Sequence, residues 1–245
     1  MKIGILSDIH SNLEALTEAM KWLDEQKVDD VVCLGDVVGY GPNPNECCEI
    51  VSSASSATLL GNHDAAVIGA MSTEYYYDSA RVAIEWTRRQ LKPEHLEWLY
   101  QLPYTHRRRE QGVGFYHSAP IAPSGYFYVV FKDDAQAHTR MFEKLSQVSL
   151  LGHSHLVRAF KLTSGKAKEI QVKDIRFEDN SKFIASVGSV GQPRDRDARG
   201  AVSYFDSDMG ELHLHRFDYD RKKTAAKIVQ AGLEPRFGER LLSGS

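Results

Sequence analysis

The sequence predicts an α/β fold with a mixed β core, read as two packed sheets, and helices on the outside. Three observations carry this. Over the first 64 residues short apolar runs alternate with helical spacings, the pattern of βαβ units and a largely parallel start to a sheet. From about Ala65 to Gln101 the periodicity is helical alone. After His155 β-like segments dominate almost to the end of the chain.

In chain order, Lys2 to Ser7 is a short apolar run expected as a buried strand. Ser11-Asn12-Leu13-Glu14 reads as a capping box, followed by Leu13, Leu16, Met20 and Leu23 at helical spacing. Asp30 to Leu34 is a second buried strand, Pro44 to Ser52 a short helix, and Ala57 to Leu60 a third strand. Ser79 to Leu91 carries Val82, Trp86 and Leu91 among charges, and Pro93 opens a helix with Leu96, Leu99 and Tyr100. The Tyr75-Tyr76-Tyr77 cluster is read as core packing for this helical layer, in preference to a cap that stacks on a ring in a binding site. Gly112 to His117 is a strand, Asp134 to Leu145 a helix, and Val148 to Leu151 a strand. Val157 to Leu162, Ala167 to Val172, Lys182 to Val187, Ala201 to Phe205 and Glu211 to Phe217 follow as strands, with a hairpin turn at residues 207–210. Asp220 to Gln230 closes the chain as a helix.

The 245 residues show no repeat, low-complexity stretch or long linker, so one domain over 1–245 is expected, with about 65–101 as a helical cap-like insertion. Charged residues make up 26% and the net charge is −3, which argues against a nucleic-acid polymer or a membrane surface as partner. No run has the length of a membrane span, and the apolar start is too short for a signal peptide, so a cytoplasmic location is expected. Cys33, Cys47 and Cys48 lack both disulfide and thiolate-ligand spacing, and Cys33 is expected to pack as a small hydrophobe.

Four segments, each after an apolar run, concentrate hard ligands: Asp8-Ile9-His10, Gly35-Asp36, Gly61-Asn62-His63-Asp64 and Gly152-His153-Ser154-His155. Strand ends are where open α/β sheets gather ligands. Asp8 and His10 are two apart, so an extended backbone would turn both to one face. Asp36 offers a carboxylate able to bridge two cations, Asn62 a neutral carbonyl oxygen, and His117 a further imidazole. His153 and His155 could serve one cation or two. The mixed oxygen and nitrogen set suits Mn²⁺, Fe or Zn²⁺ better than Ca²⁺. Two such cations about 3.5–4 Å apart lower the pKa of a bridging water and clamp phosphate oxygens. His63 could protonate a leaving alkoxide near neutral pH, and Asp64 could orient it.

Together with His117, these segments resemble the calcineurin-like metallophosphoesterase superfamily over about residues 1–194. The resemblance implies a four-layer α/β/β/α sandwich. It also implies one metal on Asp8, His10 and His155, a second on Asn62, His117 and His153, Asp36 as the bridge, and His63 acting on the leaving group. Two divalent ions are implied as cofactors, manganese first, with iron or zinc sharing the ligands. Ser118 follows His117 where many relatives have glycine, and a local adjustment is expected there.

Gly39-Tyr40-Gly41-Pro42 stands where protein phosphatases of the superfamily carry Asp-Arg-Gly, and Asp64 stands where those enzymes usually have Glu. The chain therefore looks more like the compact prokaryotic phosphodiesterase branch, some of whose members cleave nucleotide substrates. Gly188-Ser189-Val190-Gly191-Gln192-Pro193-Arg194 matches a segment of that branch. It is read as a possible anion nest with Arg194 on a phosphate oxygen, while Arg196 and Arg199 are expected in solvent. Tyr40 and Arg194 are the candidate substrate contacts. The expected activity is hydrolysis of phosphodiesters or nucleotide polyphosphates, with a small phosphoester or nucleotide as partner. The alternatives are a phosphomonoesterase, including a protein phosphatase, or an inactive scaffold.

Overall fold

Alternating side chains in the central strands divide the molecule into layers. The structure, a computed structural model, describes residues 1–178 and 180–245, and for Asp174 the backbone alone. Strand β1 (Lys2–Leu6) sends Ile3 and Ile5 one way, while Leu6 and the bare face of Gly4 meet the helix α1 (Leu13–Glu25). Strand β2 (Asp30–Cys33) continues the alternation: Val32 points inward with Leu34, and Val31 and Cys33 point to the helices. Cys33 is thus a buried, unpaired packing residue, as expected. This period-two pattern is what a sheet covered on both faces requires.

The first sheet has the order β11-β10-β1-β2-β3, completed by β3 (Ala57–Thr58), β10 (Gly200–Asp206) and β11 (Glu211–Phe217). The second has the order β4-β5-β6-β9-β7-β8. Its strands are β4 (Thr105–Arg108), β5 (Val113–Tyr116), β6 (Val148–Leu151), β7 (Val157–Thr163), β8 (Lys166–Ile170) and β9 (Lys182–Val187). β1, β2 and β3 run parallel, as do β5, β6 and β9, while the outer pairs are antiparallel. Both sheets are mixed. Ile3, Ile5 and Val32 of the first sheet meet Phe115, Leu150 and Phe183 of the second in one apolar layer. The outer face of the second sheet packs Tyr116, Phe160 and Ile184 under Ala135 of α6 (Lys132–His138). The architecture is the expected α/β/β/α sandwich.

On the other side lie α1, α2 (Pro44–Ala54), α3 (Asn62–Val67), α4 (Asp78–Gln90) and α5 (Pro93–Tyr100), with α7 (Arg221–Gln230) against α1. Five details depart from the sequence reading. The cap of α1 is Asn12, whose side chain accepts from the Ala15 amide; Glu14 instead takes Lys227 at 2.6 Å and Lys223 at 3.3 Å, tying α1 to α7. The helix expected over 134–145 is α6 followed by a 3₁₀ segment, Thr139–Lys144, kinked at Met141. In α4 the buried face is Ala80, Ala83, Ile84 and Thr87, and Val82 is 56% exposed. The edge strand β4 has no apolar run to announce it. Finally, α8 (Pro235–Ser243) closes the chain beyond the last expected helix. Among the described residues, no helix is long and apolar enough to cross a membrane.

Candidate metal centre

Parallel strands of both sheets end at one edge of the sandwich, and every candidate ligand lies just beyond such an end. The side chains converge in two buried groups that share one carboxylate. Asp8, His10, Asp36 and His155 form the first, and Asp36, His117 and His153 the second. Asp36 belongs to both, the position a bridge must occupy. Asn62 joins the second group, with its Oδ1 3.1 Å from His117 Nε2.

The backbone does not deliver these residues as expected. Asp8 and His10 are not a continued strand: φ is +52° and +51°. Asp36, His153 and His155 are left-handed as well, at +53°, +65° and +59°. Backbone hydrogen bonds hold the turns, Asp8 N–H donating to Gly35 O and His10 N–H to Asp36 O, each at 3.0 Å.

Backbone carbonyls set the imidazole tautomers. His10 Nδ1 donates to Val38 O at 3.3 Å, His117 Nδ1 to Leu34 O at 2.9 Å and His155 Nδ1 to Gln192 O at 2.5 Å. Their Nε2 atoms therefore turn inward. His153 is reversed: Nε2 donates to Tyr126 O at 2.9 Å, leaving Nδ1 as its free lone pair. His10 Nε2 and His155 Nε2 face each other at 3.1 Å, with Asp8 Oδ1 3.3 Å from the latter and Asp36 Oδ2 3.6 Å from the former. Burial holds both imidazoles well below their ordinary pKa, so neither carries a second proton to place between them. Two unprotonated imidazole nitrogens and an Asp36 oxygen converge on one point, joined by Asp8 Oδ1 once that carboxyl ionises. That is the electron-pair environment of a cation, and the donor set fits a divalent transition metal.

The second group is balanced by a proton. His117 lies 3.5 Å from Asp36 Oδ2; burial opposes its charge, but the Asp36 carboxylate outweighs this and lifts it to about 9. Asp36, despite burial, is held well below the usual carboxylate range by the His117 charge and hydrogen bond. A second cation held here would have to displace the proton that the raised pKa favours on His117. Burial pushes Asp8 up to about 7, opposed by His117 and reinforced by the Asp36 charge.

Supporting contacts orient the acceptors. His63 N–H donates to Asp36 Oδ1 at 2.8 Å, turning Oδ2 to the histidines. Ser7 Oγ donates to Asp8 Oδ2 at 2.5 Å. Asn62 Nδ2 donates to the Tyr76 hydroxyl at 2.6 Å, which fixes Oδ1 toward His117. The Ser118 hydroxyl donates to Pro123 O at 3.0 Å.

Two expectations change. Asp64 does not orient His63: its carboxylate accepts from Val38 N–H and Gly61 N–H, both at 3.1 Å, so it buttresses the start of α3. Burial lowers His63 to about 4, and its Nδ1 is buried without a hydrogen-bond partner among the described residues. A Cβ on Gly39 would lie 2.8 Å from that nitrogen, so glycine is needed there to seat the ring. The 188–194 segment is not an anion nest. Val190 N–H donates to Ser7 O, Gly191 N–H to Asp8 O and Ser189 Oγ to Asp8 O. It splints the first motif, and Gly191 permits this because a Cβ would fall 1.7 Å from Ile9 O. Arg196 and Arg199 are exposed, as expected, with Arg199 paired to Asp197.

Over the centre lies a cavity of about 350 Å³ that takes in Asp36, His63 and Arg194 and is walled by Tyr40, Tyr75, Tyr76, Tyr77, Tyr126 and Tyr128. The tyrosine cluster is divided: Tyr76 packs against the core as expected, while Tyr75 is 91% exposed and Tyr77 47%. Its polar hydroxyls and exposed rings belong to the rim of the site. Tyr128 stacks on His153 at 4.1 Å between centroids. Tyr126 and Tyr128 carried no periodic signal in the sequence. A larger hollow, about 630 Å³, lies between β7, β8 and β11 and holds none of the candidate ligands.

Comparison with known proteins follows the same line. Residues 1–208 match the profile of the calcineurin-like phosphoesterase superfamily domain. An uncharacterized protein of Methanocaldococcus jannaschii is 34% identical over 246 residues, covering 99% of this chain and 98% of that protein. The crystal structure of a metallophosphoesterase from Sphaerobacter thermophilus superposes with a TM-score of 0.82 at 32% identity, covering 100% of this chain and 99% of that one. A hypothetical protein of Pyrococcus horikoshii gives 0.81 at 18% identity, with 100% and 98% covered.

Proposed function

The chain belongs to the calcineurin-like phosphoesterase superfamily and is a metal-dependent phosphoric ester hydrolase; from that premise we propose that it hydrolyses phosphodiesters or nucleotide polyphosphates, with two manganese ions as cofactors. The observation that carries the dinuclear reading is the shared Asp36 carboxylate between two buried donor groups. In this reading Asp8, His10 and His155 hold one ion, Asn62, His117 and His153 the other, and Asp36 both. The ions, when bound, supply a water of lowered pKa and neutralise charge on the phosphate oxygens.

The chain's own groups do the rest. Water oxygen bonds to phosphorus, the bond from phosphorus to the leaving oxygen breaks, and that oxygen must gain a proton or a hydrogen bond. We assign this to His63, which lies on the cavity wall and outside the two groups of donors. Its lowered pKa means that it enters as a neutral imidazole and donates a hydrogen bond to the leaving oxygen. Full proton delivery requires the charge of a bound phosphate to raise it again. Arg194 offers a guanidinium at the same wall, and Tyr40 shapes the wall beside it.

We place the protein in the cytoplasm as a single domain, with residues 65–101 as a cap-like insertion. The rim position of Tyr75 and Tyr77 supports the insertion's contact with substrate. The test is a phosphoester and nucleotide panel on Mn²⁺-reconstituted enzyme, including bis-p-nitrophenyl phosphate and p-nitrophenyl phosphate. Predominant turnover of the monoester would replace this reading with a phosphomonoesterase.

A further inference from the structure

The tyrosine wall of the cavity is backed by a helix, α8, beyond the family-matched residues 1–208. Phe237 of α8 packs on Tyr40 at 4.9 Å between centroids. One turn on, Arg240 donates from Nη1 to the Tyr77 hydroxyl at 3.1 Å, with its Cζ 5.9 Å from that ring. Tyr77 in turn donates to the Tyr40 hydroxyl at 3.4 Å, and Arg194 lies over the Tyr40 ring at 5.8 Å. Arg194, Tyr40, Tyr77 and Arg240 therefore form a continuous run leading outward from the metal centre.

Neither guanidinium has a carboxylate within ion-pairing distance among the described residues, though both lie beside tyrosine rings that line the cavity. Arg194 Nη2 donates to Gln192 Oε1 at 2.8 Å, and its buried Nε has no acceptor. Two positive groups held in place by tyrosine rings, each with one terminal nitrogen engaged by a neutral partner and no carboxylate neighbour, keep further N–H donors for phosphate oxygens. The outermost group is separated from the centre by the tyrosine pair, so a substrate with one phosphate leaves it unengaged. Tyr75 and Tyr128 present exposed ring faces at the same cavity.

We infer that Arg194 and Arg240, mounted on Tyr40 and Tyr77, form a phosphate track that selects substrates carrying further phosphates beyond the scissile one and ending in a planar ring, that is, nucleoside polyphosphates over compact diesters. This rests on the phosphoesterase reading above and narrows it. Hydrolysis itself is unchanged; the track binds the part of the substrate that does not react.

The experiment compares adenosine 5′-tetraphosphate with bis-p-nitrophenyl phosphate at saturating Mn²⁺. Arg240→Ala raises KM for the tetraphosphate about tenfold with kcat altered less than about twofold, as loss of one charge-assisted contact to a non-reacting group predicts. Its effect on the compact diester is much smaller. Arg240→Lys keeps the charge and recovers part of the loss. Tyr77→Phe removes the hydroxyl that Arg240 holds but leaves the charge, and gives a substrate ratio closer to wild type than Arg240→Ala does. Should Arg240→Ala weaken both substrates alike, or Tyr77→Phe reproduce its ratio, Arg240 is a packing residue and the track is wrong. Should Arg240→Ala unfold, Arg240→Gln serves with the same two outcomes. Wild-type enzyme inert toward both substrates would instead remove the phosphodiesterase reading itself.

Discussion

Five of the seven candidate ligands stand in the left-handed backbone region, each at a cost of about 1–3 kcal/mol. The hydrogen bonds that offset this strain also aim the donors. At this scale the roles of neighbouring residues separate cleanly. Asp36→Asn removes the shared negative charge, and elemental analysis is expected to find metal content and activity reduced together. His63→Ala is expected to lower kcat by about 10²–10⁴-fold, in keeping with loss of a group acting on the leaving oxygen, while both ions remain bound. Loss of metal from that variant would contradict its place outside the ligand set. His117 gives a pH signature. Its raised pKa of about 9 means it is protonated at pH 7 without metal, and a ligating imidazole must be neutral. Metal loading at pH 7 should therefore release protons, about one of them from His117, and apparent affinity should climb as pH rises toward 9. Calorimetry in buffers of different ionisation enthalpy measures this directly.

Among the elements, the loops after β1 and β9 behave as one unit, because Ser7 and Asp8 carbonyls accept from Val190, Gly191 and Ser189. Gly191→Ala forces a Cβ against Ile9 O and is expected to lower metal affinity without touching a ligand, as equilibrium dialysis would show. The two sheets are also pinned together by an ion pair between Arg108 on the edge strand β4 and Asp30 on β2, both mostly buried. Burial raises the Asp30 pKa, but the hydrogen bonds from Arg108, Ser56 and the Val31 amide, with the Arg108 charge, together outweigh it and the net shift is downward. The pair's contribution is present above the ordinary carboxylate pKa of about 4 and is lost as the pH falls through the lowered value. Arg108→Ala should cost about 1–3 kcal/mol at pH 7 and much less under acid, which denaturant melts at the two pH values would resolve. Sequence periodicity located the strands that build the core because their apolar alternation is local. It missed β4, whose Thr-His-Arg-Arg run is polar, and it placed Tyr75 and Tyr77 in the core with Tyr76 because ring composition alone does not say which side of a helix layer faces a cavity.

At the scale of the whole molecule, two sheets converge their strand ends on a centre that concentrates Asp8, Asp36 and four histidines in a dry interior. Cations that bind only the folded state stabilise it by about 2.7 kcal/mol at a hundredfold excess over Kd. Chelation is therefore expected to lower the Tm by about 5–10 °C for a chain of this size, reversibly on readdition of Mn²⁺. A melting temperature indifferent to chelator would argue against a loaded centre. The sequence by itself determined the ligand types, their order after strands and a mixed β core with helices outside, since these depend on residue chemistry and short-range periodicity; the four-layer sandwich and the sorting of ligands between two ions came from the family resemblance those motifs carry. Only the tertiary structure decided how the donors are turned. Carbonyls from Leu34, Val38, Tyr126 and Gln192, remote in sequence from the rings they hold, fix which nitrogen faces the cation. The tertiary structure alone also brought Arg240 to Tyr77, 163 residues away, because packing of α8 on Tyr40 and α4 is a contact between surfaces that no local pattern encodes.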